Sequence, residues 1–278
     1  MTNRPEHPTQ RPALVTGASA GIGAATAAAL AAAGHPVVVT ARRKDRCEDV
    51  AGAIRDAGGR AAALALDVSD ADAVARLAID ASEPFGPIEV LVSNAGDVLP
   101  QSVLETSEAD FTAQLDVNLH AAHRLARAIV APMVDRQRGD VVFVTSDVNR
   151  VPRPNMASYV TSKWGLEGFA RALQMELEGT GVRASIVRPG PTTTDMGLSW
   201  DAERVGPLLD EWTRWGLMRH DGYLASEDLA AAILSVVSLP RGAHITLLEL
   251  EPEAPVRPRP PGRSDATPPD AAPTDATP

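Results

Sequence analysis

Short apolar runs recur along the chain at Ala13, Val37, Ala61, Val90, Val141, Ala184 and His244, with helical patterns between them. Runs this short, rich in valine and alanine and bounded by turn residues, read as buried strands. Strands that alternate with helices need crossover connections, which are right-handed and place helices on both faces of a parallel sheet. The expectation is an α/β fold with a single doubly wound domain and a mostly parallel seven-stranded sheet. A chain of 278 residues could form two domains, but the alternation runs unbroken, so one domain is expected over residues 11–251. Residues 1–10 are polar and read as a flexible N-terminus. Nine of the last 27 residues, from Pro252 onward, are proline, and almost nothing there could be buried. Residues 252–278 therefore read as a disordered proline-rich tail, with a docking segment as the alternative.

The first strand-to-helix turn carries chemistry. Ala13 to Thr16 runs into Gly17-Ala18-Ser19-Ala20-Gly21-Ile22-Gly23 and then an alanine-rich helix. Glycines there allow left-handed backbone and close approach of a pyrophosphate, and the free N–H groups at the helix start favour negative charge. The lysine of a P-loop is missing, which argues against a nucleoside triphosphatase. At the end of the next strand, where dinucleotide folds usually place an acidic residue for the ribose hydroxyls, the chain has Ala41-Arg42-Arg43. Guanidinium groups suit a 2′-phosphate, so NADP(H) is expected over NAD(H). The other reading of Arg42 and Arg43 is as solvated loop charges. Asp67, followed by Val68, closes the third strand and reads either as an acceptor for the adenine amino group or as part of a helix-capping turn.

Tyr159 and Lys163 stand one helical turn apart, and Ser146 lies thirteen residues before Tyr159 at the end of an apolar strand. An ammonium beside a phenol stabilises the phenolate, so a phenol pKa below its usual 10 or so is expected. Such a pair is an acid–base device.

These motifs together resemble the short-chain dehydrogenase/reductase family, classical type, over residues 11–250. Thr16 to Gly23 is similar to the family's cofactor turn, and Ser93-Asn94-Ala95-Gly96 to its sheet-stabilising NNAG motif, with serine for the first asparagine. The resemblance implies a Rossmann-like fold and a catalytic set of Asn118, Ser146, Tyr159 and Lys163. It gives Tyr159 the role of general acid or base, and Lys163 that of holding the nicotinamide ribose. Ser146 orients the substrate oxygen, and Asn118 holds a water in a helix that it locally bends. The segment Arg188-Pro189-Gly190-Pro191-Thr192-Thr193-Thr194 resembles the one bordering the nicotinamide, which adds Pro189, Gly190, Thr192 and Thr194 to the cofactor set. The implied activity is interconversion of a carbonyl and an alcohol by hydride transfer. The alternative is an NADP(H)-binding sensor or scaffold without turnover.

Residues 195–225 fall where the family has its substrate lid. They hold Trp200, Trp212, Trp215, Leu198 and Tyr223 in a chain with only ten aromatics, which suits an apolar, bulky carbonyl or alcohol or, equally, packing of the lid. Asp147 and Arg150 either line the pocket mouth or pair with each other. Helices over Asp110 to Arg136 and Ala157 to Glu178 have alanine-rich faces suited to self-association, so a homodimer or homotetramer is expected.

Composition bounds the setting. The net charge of −10 and the absence of a basic stripe argue against nucleic acid and membrane surfaces as partners. Cys47 is the only cysteine and reads as inert, and no Cys/His cluster has metal-ligand spacing. The polar start lacks the apolar core of a secretory signal, and no apolar run is long enough to span a bilayer, so a cytoplasmic enzyme is expected.

Overall fold

The computed structural model describes residues 7–194, 196, 200 and 202–256. Residues 1–6 of the expected flexible N-terminus, residues 257–278 of the expected tail, and Leu198 of the expected lid lie outside the described residues. Seven strands form one sheet: β1 (Ala13–Thr16), β2 (Val37–Ala41), β3 (Ala61–Ala65), β4 (Val90–Ser93), β5 (Gly139–Val144), β6 (Val182–Pro189) and β7 (Leu247–Leu250). Their order is β3-β2-β1-β4-β5-β6-β7, and every pairing is parallel. The order reverses between β1 and β4, and a crevice opens there at the carboxyl ends of the strands.

The helices are α1 (Gly21–Ala32), α2 (Lys44–Asp56), α3 (Ala71–Asp80), α4 (residues 108–135), α5 (Ala157–Glu176), α6 (Ala202–Arg214) and α7 (Ser226–Ser238). Local chemistry starts several of them. The Asp70 carboxylate accepts the N–H groups of Asp72 and Ala73 at the head of α3, and the Ser107 hydroxyl accepts that of Asp110 at the head of α4. Within α4 the backbone widens to π geometry at Asp116–His120 and again at Ala126–Val130.

Side-chain alternation along the strands divides the core in two. Leu14, Val38, Leu91, Val141 and Phe143 pack on one face, under α3, α4 and α5. Val15, Val39, Val90, Val92 and Val142 pack on the other, under α1, α2 and α7. Near-continuous valine runs are what a sheet covered on both faces demands. A third, smaller apolar cluster joins Val98, Val148, Met156 and Tyr159 to Leu208 and Trp212 of α6. That cluster is the roof of the crevice.

The last strand departs from expectation. It begins at Leu247, three residues beyond His244, because the His244 side chain hydrogen-bonds the Ala184 carbonyl (2.8 Å) and pairing to β6 starts only where Ile186 donates to the Thr246 carbonyl (3.0 Å). His7, within the stretch expected to be flexible, contacts the Leu239 carbonyl (3.1 Å) and Arg183 (2.9 Å) through Nε2. Among the described residues, no helix is long and apolar enough to cross a membrane.

Candidate active site

β1 delivers the chain into a turn that only glycine permits. Gly17 has φ +65°, and a Cβ there would lie 2.7 Å from Ala95 Cα. A Cβ on Gly23 would lie 2.4 Å from the Gly17 carbonyl oxygen, so Gly23 lets α1 pack onto its own entry turn. The Ala20 side chain offers no cap, which leaves the first N–H groups of α1 facing the crevice without a side-chain acceptor. Thr16 fixes the neighbouring turn after β4. Its Oγ1 accepts the N–H groups of Asn94 and Ala95 (3.1 Å each), and Asn94 Nδ2 donates to the Thr16 carbonyl (2.9 Å).

The resulting groove has a volume of about 820 Å³. It is lined by Gly17, Ser19, Ala20, Gly21 and Ile22 of the first turn, and by Arg42 and Arg43 after β2. Asp67 and Val68 after β3 line it too, as do Asn94, Ala95 and Gly96 after β4, and Ser146, Tyr159 and Lys163. Pro189, Gly190, Thr192 and Thr194 close it from the end of β6. Of the expected set, Gly23 and Asn118 stand behind the wall rather than on it. Arg42 and Arg43 are exposed at the rim. Asp67 turns its carboxylate onto Ser69, accepting from the N–H (2.9 Å) and the hydroxyl (2.7 Å), and the Ser69 hydroxyl hydrogen bond holds it below the usual carboxylate range. The cap of α3 is Asp70, three residues on.

Asn118 sits in the first π turn of α4 and is buried. Its Oδ1 accepts from the Asp97 N–H (2.8 Å), and its Nδ2 donates to the Asp97 carbonyl (2.9 Å) and to Ser162 (3.0 Å). Both ends of the amide thus secure the loop after β4 against α5.

Tyr159 and Lys163 share one face of α5, with the Lys163 ammonium 5.7 Å from the centre of the phenol ring. Lys163 Nζ donates to the Val144 carbonyl (3.0 Å), and Ser146 lines the same groove as the Tyr159 phenol. The expected lowering of the phenol pKa is corrected here: Tyr159 is pushed up to about 12, because burial disfavours the phenolate more than the neighbouring Ser146 hydroxyl favours it. Burial also brings Lys163 down to about 8. Cys47 is buried, and burial raises its thiol, as suits an inert residue.

Asp147 and Arg150 do not pair through their side chains. Asp147 receives both guanidinium arms of Arg153, while Arg150 reaches Glu249 (3.2 Å) and Glu251 (2.8 Å). The reason is reach: Asp147–Asn149 form a turn of 3-10 helix that carries Arg150 outward and lets the chain return with Arg153. Arg153 lies 5.3 Å above the Trp212 ring, and Trp212 Nε1 donates to the Pro154 carbonyl (3.2 Å). Sequence reasoning missed Arg153, and also Asp97 and Val117, which line the groove without a motif to mark them. Trp215, read together with Trp212 as either facing a bulky substrate or packing the lid, is 67% exposed.

A doubly wound parallel sheet with a glycine cradle at its switch point defines the Rossmann-like class. Within that class the chain belongs to the short-chain dehydrogenase family, whose model, described as short chain dehydrogenase, matches residues 11–204. It is 34% identical over 239 residues to a 3-oxoacyl-[acyl-carrier-protein] reductase of Synechocystis, covering 86% of this chain and 93% of that protein. It is 33% identical to glycine betaine reductase ATRR of Emericella nidulans over 86% of its own length, but spans only 18% of that protein. It spans 66% of a short chain dehydrogenase of Pseudocercospora fijiensis, at 36% identity. The fold is similar to that of an alcohol dehydrogenase from Thermococcus sibiricus complexed with 5-hydroxy-NADP, at TM-score 0.76 and 30% identity over 90% of this chain and 99% of that one.

Proposed function

We propose that the protein is an NADP(H)-dependent oxidoreductase that interconverts a carbonyl and an alcohol, with Tyr159 as the general acid and base. The observation that carries this reading is the convergence of Ser146, Tyr159 and Lys163 on one end of a groove whose other end bears Arg42 and Arg43. The groove fits the cofactor. Side-chain-free backbone at Gly17 and the uncapped start of α1 suit a pyrophosphate, Arg42 at the rim suits a 2′-phosphate, and the Lys163 ammonium suits ribose hydroxyls. When bound, the cofactor supplies or accepts the hydride.

The chain's own residues do the rest. A phenol pushed to about 12 is protonated at neutral pH and stands ready to give its proton to a carbonyl oxygen as negative charge develops there. Ser146, which lines the groove beside that phenol, orients the same oxygen. Lys163, charged and one helical turn away, stabilises the phenolate left behind and returns to rest once Tyr159 is reprotonated. Asn118 maintains the loop after β4 that borders this end of the groove. Val98, Met156, Leu208 and Trp212 around Tyr159 exclude water and favour an apolar, bulky substrate. A homodimer or homotetramer through α4 and α5, and residues 11–251 as the catalytic domain, belong to the same proposal.

Tyr159→Phe removes the donated proton and keeps the ring. Turnover in a screen of ketones and aldehydes, followed by the absorbance of the reduced nicotinamide, should fall by at least about 100-fold while NADPH still binds. Near-normal turnover in a folded Tyr159→Phe protein overturns the mechanism.

A further inference from the structure

Immediately beyond Ser146 the chain buries a complete ion pair. Asp147 and Arg153 are joined through both guanidinium arms, and their side chains are only 9% and 13% exposed. Removing two charges from water is costly, and an apolar pair of similar size would fill the space with less penalty. The pair lies beside the reacting group: Ser146 Oγ donates to Asp147 Oδ1 (3.2 Å), and Ser146 lines the groove together with Tyr159. A serine hydroxyl has one hydrogen to give. If it points to Asp147, the phenol meets the oxygen's lone pair and donates its own hydrogen.

We propose that Asp147 and Arg153 are positioning residues for proton transfer at Tyr159: Asp147 draws the Ser146 hydrogen toward itself so that the phenol keeps its own, and Arg153 offsets this pull by neutralising the carboxylate. This rests on the reading of Tyr159 as proton donor. The charged groups that face Tyr159 can be followed element by element. Lys163 comes from its own helix, and Asp147 and Arg153 come from the segment after β5. On the loop after β4, the Asp97 carboxylate is turned to the Val98 N–H (2.9 Å), and on α6, Glu211 accepts from Asn155 (3.0 Å). Of these carboxylates, Asp147 accepts from Ser146, the hydroxyl that lines the groove with the phenol. Arg153 in turn is held from the far side by the Trp212 ring, so the lid helix fixes where the positive end of the pair sits.

The two partners carry opposite charge, so their loss has opposite effects. Asp147→Asn removes a negative charge and frees the positive charge of Arg153, both of which favour the phenolate. Arg153→Met leaves a bare carboxylate beside the phenol, which disfavours it. Tyr159 and Tyr223 are the only two tyrosines, so a Tyr223→Phe background reports Tyr159 alone by phenolate absorbance. Rapid pH jumps read the signal before the protein unfolds in alkali. The Tyr159 midpoint should fall by about one unit in Asp147→Asn, rise by about one unit in Arg153→Met, and return close to the parent in the double variant. Simple loosening of the segment would move both single variants the same way, and that result overturns the proposal. If Arg153→Met does not fold, Asp147→Asn decides alone, an unchanged or raised midpoint refuting the inference. The alkaline limb of carbonyl reduction should shift in the same sense as the midpoint. Should no carbonyl compound turn over in any variant, the proposed function fails, while the absorbance midpoints still judge this pair.

Discussion

Lys163 carries its charge where burial disfavours it. Its folded-state value of about 8 lies below the ordinary 10.5, so the unfolded chain holds the proton more tightly. The sign follows: wild-type stability rises as pH climbs from about 8 toward 10.5, and below 8 the buried ammonium costs of order 3 kcal/mol. Lys163→Met should therefore gain most in melting temperature relative to wild type at pH 6–8, the gain shrinking toward pH 10, even as turnover and cofactor affinity are lost. A stability difference flat across that range would show that the ammonium is not desolvated. On the proposed reading, Ala41 and Arg42 govern a separate choice, that of cofactor. A carboxylate at Ala41, half-buried at the end of β2, would accept from ribose hydroxyls and repel a 2′-phosphate, and Arg42→Ile removes the phosphate's partner. The double variant Ala41→Asp with Arg42→Ile should prefer NADH where wild type prefers NADPH, read as the ratio of kcat/KM values. Equal use of both cofactors by wild type would mean that the rim arginines are only solvated charges.

At the scale of elements, helix α6 separates two tryptophans that the sequence treats alike. Trp212 is 7% exposed, packs into the cluster over Tyr159 and donates to Pro154, whereas Trp215 is 67% exposed. Trp212→Ala should raise KM for large ketones more than for small ones and lower stability by about 3–5 kcal/mol, as loss of a buried indole does. Trp215→Ala should stay within about 0.5 kcal/mol of wild type. Equal losses for all substrate sizes in Trp212→Ala would assign the ring to packing alone. The contrast also marks the limit of reading from sequence. Strands such as β2 and β5 declare themselves through runs of valine, and Tyr159 with Lys163 through one turn of helix, because those signals are local. Arg153 declares nothing, since its partners are a carboxylate six residues back and an indole far along the chain in α6. The late start of β7 was equally hidden, being set by what His244 meets on β6. The phenol pKa went astray for the same reason: adjacency of charge is visible in a sequence, and depth of burial is not.

For the molecule as a whole, the parallel sheet puts its chemistry at one end and its charge clamp at the other. Arg11 precedes β1, Glu89 precedes β4, Asp140 opens β5 and Arg183 opens β6, so all four meet at the amino ends of the strands, opposite the groove. Arg11, 1% exposed, pairs with Asp140 and Glu89 and donates to the Val237 carbonyl at the end of α7 (3.0 Å). Arg183 binds Asp140 from the other side (2.6 Å) and donates to the Ala243 carbonyl (2.6 Å) in the lead to β7. One network thus ties β1, β4, β5, β6 and the exit of α7 into a rigid base. Arg11→Met would leave two buried carboxylates short of a cation, a loss of about 3–5 kcal/mol for a broken buried pair. In a domain of this size that is a fall in melting temperature on the order of 10 °C. Because the clamp lies a full strand length from Tyr159, kcat and KM measured well below the melting temperature should stay within about twofold of wild type. A large loss of kcat in an Arg11→Met protein that melts normally would mean that the base of the sheet positions the site directly, rather than holding the sheet together beneath it.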